Sequence, residues 1–341
     1  MKKVLFATTA LVASAGIASA EVAITGSAEM GIAGGDSFST AAGTFTRTET
    51  QFHQDIDVNF SMSGETDGGL SFGAAIDLDE VEGAKTTTPS DDFGVAIFIS
   101  GGFGTLTMGD TDGALDWAVT EAGNIGNPGS IADNETGHLG YNGSYLDGNY
   151  DGQIVRYDNT FGDFGVAISV EQDHTGAQSN GFAVGFKYSA DLGGTTLNIG
   201  LGHQTATRLA APAAATPFGA NGAAHVAGMK AKATGVSLGA GFGDFSAGIA
   251  YTKFSGAAAA NDVTHTGIGI GYAANGLSVH ANYGKFDTAA DDYSGYGLAV
   301  GYDLGGGASI KAAYGSSKVT SAVAARNVSG NSFSIGLAMS F

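Results

Sequence analysis

The sequence predicts an all-β protein, a closed antiparallel β-barrel that spans a membrane. Three observations favour this fold class: apolar residues recur at every second position, short turns rich in Gly and Asp alternate with longer polar stretches, and no apolar run is long enough for a membrane helix. Without such a helix, a chain can cross a bilayer only as a barrel, because lipid leaves no backbone polar group unpaired.

The alternation is clearest in segments 70–79, 164–171, 182–189 and 295–302, where apolar residues alternate with small or polar ones. A period of two indicates strands with one apolar face. Residues 331–341, NSFSIGLAMSF, keep this pattern up to Phe341. Such a strand avoids fraying when it belongs to a closed ladder, so we expect it to pair with a first strand at 21–33.

A soluble β-sandwich would also alternate, and two further features favour the barrel. The chain starts with an export signal, and aromatic residues recur at strand ends, where membrane barrels carry girdles at the two lipid–water interfaces. The predicted girdle consists of Phe52, Phe93, Phe103, Phe161, Phe164, Tyr188, Phe242, Phe245, Tyr272, Tyr302 and Phe341.

The connections between strands are of two kinds. Short turns are predicted at 64–69, 101–103, 161–163, 190–194, 242–244, 273–276 and 304–307. Longer loops are predicted near 34–49, 80–91, 110–149, 174–180, 206–223, 255–262, 287–292 and 316–328. These connections divide the chain into about sixteen strands with both ends on the short-turn side, as bacterial outer-membrane barrels require.

The N-terminal segment predicts export. Residues 1–20 combine Lys2 and Lys3, an apolar stretch at 4–12 and the small residues Ala18-Ser19-Ala20, which together are typical of a cleaved signal peptide. The expected organisation is therefore a signal peptide, 1–20, and one barrel domain, 21–341. The chain contains no cysteine, and its formal net charge of −19 argues against nucleic acid as a partner.

Residues 153–168, QIVRYDNTFGDFGVAI, run from strand through a short turn to strand, with a Tyr and a Phe-x-x-Phe. With the signal peptide, the strand number and Phe341, this resembles the general diffusion porins of Gram-negative bacteria, and the Gly-rich, acidic character is most similar to the α-proteobacterial, Rhodobacter-like type. The resemblance implies a homotrimer in the outer membrane, reached through the periplasm and surrounded by lipid and lipopolysaccharide.

The function that follows is passive diffusion of small hydrophilic solutes and ions through a water-filled pore, with a mild preference for cations because acids outnumber bases. No cofactor and no chemical step are expected. A substrate-selective channel for a sugar or an anion and a plugged structural or adhesive barrel are the alternatives. A barrel enzyme ranks last, because no Ser comes with a His and an Asp in a defensible arrangement.

The longest loop carries the predicted site. It contains the single Trp, Trp117, and residues 113–122 predict a helical turn or two. By count this is the third loop, which in porins folds into the lumen and narrows it. The resemblance thus implies a constriction with acids from this loop opposite bases of the wall, whose fixed charges create a transverse field. The candidates are Asp110, Asp112, Asp116 and Glu121, opposite Arg47, Arg156, Lys187 and Lys311.

Two weaker signals concern metals. Asp147, Asn149, Asp151 and Asp158 have a spacing similar to a calcium loop, as do the acids of 110–121. An ordinary acidic loop fits better, because residues 147–158 continue into a strand instead of a helix. His53, His265 and His280 fall singly on the small, polar face, which favours lining residues over zinc ligands.

Overall fold

The computed structural model describes residues 21–39, 43–80, 94–143, 145–147, 154–173, 176, 178–207, 230–256 and 262–341. The expected signal peptide, Phe93, Asn149 and Asp151 lie outside the described residues. Within these ranges no helix has the length and apolar character needed to cross a membrane.

Sixteen antiparallel strands form one closed barrel in which each strand pairs with its sequence neighbours. They are β1 (Glu21–Ser39), β2 (Thr44–Glu65), β3 (Ser71–Glu80), β4 (Ala96–Gly101), β5 (Gly104–Gly109), β6 (Ile154–Phe161), β7 (Phe164–Glu171), β8 (Gly181–Asp191), β9 (Thr195–Thr207), β10 (Lys230–Phe242), β11 (Phe245–Ser255), β12 (Val263–Ala274), β13 (Leu277–Asp287), β14 (Asp291–Gly305), β15 (Ala308–Ser321) and β16 (Val328–Ser340). The predicted fold class and strand number are confirmed.

The barrel closes between β1 and β16, as the sequence predicted. Ser27 lies opposite Ser340, and the ladder continues to Gly35 opposite Ser332. Beyond the last assigned strand residue, the Phe341 amide donates to the Gly26 carbonyl at 2.8 Å and the Gly26 amide donates to the Phe341 carbonyl at 3.2 Å. Phe341 is therefore held by the ladder on both of its backbone polar groups.

The loop boundaries differ from the prediction mainly at the first loop. We expected a loop near 34–49, but β1 and β2 continue to pair up to Ser39 opposite Thr44, with a bulge between Ala33 and Gly35. The bulge and the polar, Thr-rich sequence of this hairpin obscure the alternation, although backbone pairing persists. In the same way β15 extends to Ser321, into the predicted loop 316–328.

The two faces of the wall differ as predicted. One face, called the outer face, carries exposed large apolar side chains such as Ile168, Ile249 and Leu298. The other, called the inner face, carries mainly the small or polar residues that alternate with them, with larger buried apolar side chains such as Phe254 and Phe286 near the longer loops. At the short-turn end of the outer face aromatic rings contact one another: Phe164 and Tyr188 have ring centroids 4.9 Å apart, and Phe245 and Tyr272 5.0 Å apart.

The wall has an unequal height. β4 and β5 have six residues each, and β6 and β7 have eight. These four strands are called the low arc. By contrast β10 to β15, called the tall arc, have between 11 and 15 residues. A β-strand that crosses a bilayer alone needs roughly 9–11 residues, which the tall arc provides and the low arc does not.

Candidate functional site

The longest described connection joins β5 to β6 and is the third of the longer loops, as predicted. Residues 110–147, without residue 144, are called the inner segment. The segment contains the predicted helical turn, α1 (Ala114–Ala118), and a 3-10 helix at Ala122–Asn124. The N-cap residue of α1 is Gly113, which has no side chain to cap the helix. Instead the Gly113 amide donates to Asp147 Oδ2, and the Ala114 amide donates to Ser169 Oγ on β7, each at 2.9 Å.

Glycines of the inner face let the backbone of the segment lie directly on the wall. A Cβ atom added to Gly185 would collide with the Ala114 carbonyl, and one added to Gly269 would collide with the Ala122 carbonyl. Further along, a Cβ on Gly297 or on Gly315 would lie 2.6 Å from the Glu135 carbonyl oxygen. The contacts of the segment with wall glycines involve Gly165, Gly185, Gly200, Gly202, Gly235, Gly248, Gly267, Gly269, Gly271, Gly284, Gly295, Gly297, Gly301, Gly315, Gly336 and Gly31.

These contacts run from β7 through β16 to β1. Apolar packing accompanies them on β7 to β15, where Leu115 and Val119 of the segment join a buried cluster with wall residues such as Ala233, Phe254 and Phe286. Burial of this cluster excludes water from the contact and stabilises the docked segment. The segment therefore covers most of the inner face. The inner faces of β2 to β5 lie on the other side of the segment.

Side chains of β12 and β13 hold the segment by its backbone carbonyls. His265 Nε2 donates to the Gly140 carbonyl, and His280 Nδ1 donates to the Ile125 carbonyl, both at 2.9 Å. Asn282 Nδ2 donates to the Thr136 carbonyl at 2.9 Å. The predicted lining residues His265 and His280 are thus buried hydrogen-bond donors beneath the segment.

A third histidine belongs to the segment itself. His138 Nδ1 accepts a hydrogen bond from the Gly140 amide at 3.0 Å. Burial lowers the pKa of His138 to about 4, although a hydrogen bond with Asn282 opposes the shift; His265 and His280 lower it slightly further. His138 is accordingly neutral at physiological pH, as its burial requires.

Two of the predicted constriction acids lie beneath the segment. Asp116 is 7% exposed and Glu121 is 2% exposed, and Glu121 Oε2 lies 3.9 Å from His265 Nδ1. The Glu121 carboxylate faces His265 of the wall and both side chains are buried, so the expectation that they line open water does not match the structure. The cause is the docking of α1 on the glycines of β8 and β9, which turns this face of the helix inward.

A further buried acid, Asp147, stabilises the start of α1. Its Oδ2 accepts from the Gly113 amide and its Oδ1 accepts from Gln204 Nε2 at 2.5 Å, while the Leu146 amide donates to Gln204 Oε1 at 3.1 Å. Burial raises the pKa of Asp147 well above its ordinary range, and the nearby Asp116 raises it further. Sequence reasoning gave Asp147 only as a calcium candidate.

Arg156 and Lys187 contact the beginning of the segment. Arg156 Nη1 donates to the Asp112 carbonyl at 2.6 Å and to Thr111 Oγ1 at 3.2 Å, and its Nε donates to Asp158 Oδ1 at 3.1 Å. Lys187 Nζ lies 3.5 Å from the centre of the Trp117 ring. The sequence therefore identified two bases that meet the segment, but their partners are a carbonyl and an indole ring.

The other two predicted bases lie elsewhere. Lys311 Nζ, on β15, is 3.1 Å from Glu29 Oε1 on β1, and a Cβ atom on Gly129 of the segment would lie 3.4 Å from the same Nζ. Arg47 is exposed at the loop end of β2, opposite Asp36 in the ladder. The structure thus brings Arg156, Lys187 and Lys311 to the segment and leaves Arg47 at the rim.

Sequence reasoning missed a group of acids on the inner faces of β1 to β3: Glu29, Asp55, Asp57 and Asp77. Ser27 Oγ donates to Asp57 Oδ2 at 2.9 Å. A Cβ atom on Gly94 would lie 3.1 Å from the Asp77 Cβ and 4.0 Å from Asp110 Oδ2, so Asp77 and Asp110 are neighbours. The parity of the apolar residues Ile56, Val58 and Phe60 could have identified them, since intervening positions must face inward.

The calcium candidates are only partly described. Asp158 interacts with Arg156, and Asp147 is bonded to Gly113 and Gln204. In the described part of the chain, no three His, Asp or Glu side chains are grouped so that they could hold a metal ion.

A closed sixteen-stranded barrel, apolar outside and small or polar inside, with one long connection packed on its inner face, defines an outer-membrane diffusion channel. Residues 7–322 match the family described as Gram-negative porin. The chain is also 30% identical over 309 residues to a porin of Rhodobacter capsulatus, covering 85% of this chain and 92% of that protein. The chain therefore belongs to the Gram-negative porin family, whose members are channels and not enzymes.

Solved structures have the same fold. A porin structure superposes with a TM-score of 0.65 at 22% identity and covers 94% of this chain and 100% of its own. A triple mutant of the Rhodopseudomonas blastica porin superposes with a TM-score of 0.63 at 15% identity, with the same coverage.

Proposed function

We propose that this channel is water-filled and mildly cation-preferring, and that its narrowest part lies between the inner segment and the inner faces of β2 to β5. The segment covers the wall from β7 to β1, so the remaining water path runs beside the uncovered strands. Those strands carry the half-buried acids Asp57 and Asp77, and Asp110 of the segment adjoins Asp77.

The observation that carries this proposal is the separation of the two charge types. The bases that meet the segment are each in contact with an acid or a ring: Arg156 with Asp158, Lys311 with Glu29, and Lys187 with Trp117. Asp57 of β2 and Asp77 of β3 add negative charge on the side of the barrel that faces away from these three bases. A ring of fixed negative charge raises the local cation concentration in a narrow aqueous path and favours cation passage.

Reversal potentials across a KCl gradient in planar bilayers test this assignment. Wild type should prefer potassium over chloride, and Asp57→Asn with Asp77→Asn should move the reversal potential toward zero. Asp67→Asn, the same change at an exposed position in the turn between β2 and β3, is the matched control and should leave it unchanged. A wild type without preference, or a double variant identical to wild type, contradicts the proposal.

We further infer that the protein assembles as a homotrimer through the low arc, with its longer loops at the cell exterior. β4 and β5 are too short to match the hydrocarbon thickness alone, yet their outer face exposes Ile97, Leu106 and Met108. A neighbouring protomer would cover these side chains, as the family resemblance implies. The long-loop orientation is the one that bacterial outer-membrane barrels adopt.

Native mass spectrometry of the detergent-purified protein tests this assembly. Wild type should give three copies, and Ile97→Arg should give a single copy because a buried charge at the interface lacks a partner. Ile97→Val, which keeps the apolar contact, should remain trimeric. A trimeric Ile97→Arg would place the interface elsewhere.

A further inference from the structure

The lysines of the described wall are distributed unequally between its two faces. Lys187 and Lys311 lie on the inner face. The outer face carries the others, all on strands of the tall arc and near the ends that lead into the longer loops: Lys230, Lys232, Lys253, Lys285 and Lys318. A charged side chain on a surface that faces lipid is unfavourable unless it reaches a polar headgroup, which a lysine does by extending its stem along the wall.

The lysines stand immediately beyond a row of tyrosines. Tyr251, Tyr283, Tyr296 and Tyr314 are exposed on the outer face of the same arc, and Tyr296 and Tyr314 have ring centroids 6.2 Å apart. Tyrosine rings mark the level where hydrocarbon gives way to headgroups. The lysines are therefore placed at headgroup depth on the loop side of the membrane.

Two of these lysines lie at the end of an apolar groove. The groove follows β9 to β11 on the outer face and is lined by Leu201, Thr234, Val236, Tyr251 and Lys253. Strand pairing fixes its layout, because Tyr251 lies opposite Val236 and Lys253 lies opposite Thr234, with Lys232 opposite Ser255 one step further toward the loop. Along the groove the lining changes from apolar side chains to hydroxyl groups and then to lysines.

The cationic end remains accessible. Lys253 Nζ forms an ion pair with Asp262 Oδ2 at 2.8 Å, yet its side chain is 52% exposed, and Lys232 is also exposed. His203 Nδ1 and Thr234 Oγ1 are 2.8 Å apart beside the groove. Asp262 balances the charge of Lys253. Lys232 therefore supplies the net positive charge at this end of the groove.

We propose that this groove binds one phosphorylated, acylated glycolipid of the outer leaflet, with its phosphate between Lys232 and Lys253 and an acyl chain along Leu201, Val236 and Tyr251. Phosphate oxygens accept charge-assisted hydrogen bonds from ammonium groups, and the apolar floor removes acyl surface from water. This inference rests on the proposed orientation, in which the longer loops face the cell exterior. It assigns the tall arc to lipid and is consistent with a protomer contact on the low arc.

Titrations of the detergent-purified protein, followed by native mass spectrometry, test the site. The probe is lipid A with both phosphates; the comparison probes are the same lipid without phosphates, phosphatidylglycerol and inorganic phosphate. Wild type should retain phosphorylated lipid A most strongly. Lys232→Gln with Lys253→Gln should weaken its binding about thirty-fold, since each lysine near an anionic headgroup contributes roughly a factor of five.

Three variants control for charge, space and folding. Lys318→Gln removes an outer-face lysine on β15, away from the groove, and should change lipid A binding less than about two-fold. Val236→Trp fills the groove without changing charge and should also weaken binding. Lys232→Arg with Lys253→Arg should retain it, because charge and donors are kept.

Equal binding of lipid A with and without its phosphates, equal binding of phosphatidylglycerol, or an equal loss in Lys318→Gln would overturn the assignment. Saturation by inorganic phosphate at the same concentration would contradict the acyl part of the site. The double Gln variant should keep the wild-type reversal potential, because its changes lie on the outer face. Failure of lipid binding and failure of the channel proposal are thus measured separately.

Discussion

His265 on β12 donates a hydrogen bond from Nε2 to the carbonyl of Gly140, at 2.9 Å and across 125 residues of sequence. This contact fixes the far half of the inner segment to the wall. A loop carbonyl buried against a sheet needs such a donor, because an unpaired buried polar group costs about 1–3 kcal/mol. A few hydrogen bonds and close backbone contacts of this kind therefore hold the inner segment against the wall.

The first prediction concerns acid pH. The folded pKa of His138 is about 4, below the ordinary value of 6.5. The undocked segment then binds more protons than the docked one as pH falls from 6.5 toward 4, so docking loses stability over this window and is fully stable above it. Protection factors of residues 130–143 in hydrogen–deuterium exchange, corrected for the intrinsic exchange rate at each pH, should be lower at pH 4.5 than at pH 7.

Controls must distinguish the effect of acid on docking of the segment from its effect on the barrel wall. His138→Gln removes the titrating group and should reduce the pH dependence of the protection factors in the segment. The protection factors of β15 and β16 serve as the internal reference and should be unchanged.

The second prediction concerns the glycines beneath the segment. Gly284→Ala would drive its Cβ into the Gly140 carbonyl, so the segment must shift. We expect a loss of about 1–3 kcal/mol, typical of overpacking, with an altered single-channel conductance. Gly239→Ala is the matched control, because its nearest neighbour would be 3.7 Å away. If both variants have wild-type conductance, backbone contact does not position the segment.

The third prediction concerns Lys187 and Trp117. The ammonium lies over the indole at 3.5 Å, and such contacts contribute about 0.5–2 kcal/mol. A double-mutant cycle with Lys187→Met and Trp117→Leu should give a coupling free energy of roughly 1 kcal/mol in thermal unfolding. The same cycle with Lys311→Met should give none, since Lys311 interacts with Glu29. Equal coupling in the two cycles would exclude a specific contact.

The fourth prediction concerns Phe341. Deletion of this residue removes both of its hydrogen bonds with Gly26 and should cost about 1–3 kcal/mol. Phe341→Ala keeps the backbone pairing but loses the ring. Comparing it with the deletion therefore separates the stability contributed by the backbone hydrogen bonds from that contributed by the aromatic ring. Thermal unfolding in detergent should rank wild type above Phe341→Ala and Phe341→Ala above the deletion. The reverse order of the two variants would mean that the backbone bonds are not formed.

The strand pattern could be predicted from sequence because burial on one face imposes a period of two on every wall segment. The number of strands, the closure of β1 with β16 and the position of the third loop all follow from that period. Loop ends were less accurate where pairing continues through polar residues, as between Ser39 and Thr44.

The orientation of the inner segment's side chains could not be predicted, since an irregular backbone has no period. Asp116 and Glu121 were therefore expected at open water, although docking buries them. A usable signal existed in the wall. Gly267, Gly269 and Gly271 repeat on the inner face, and their lack of Cβ atoms provides the room that the backbone of the segment occupies.

The pairing of β1 with β16 has a consequence for how the protein reaches its membrane. All other neighbouring strands are adjacent in sequence, and only this seam joins segments some three hundred residues apart, such as Ser27 and Ser340. Until it forms, two exposed edges offer hydrogen-bonding groups to any other extended chain. The barrel whose seam has not yet formed is thus the folding stage most prone to aggregation.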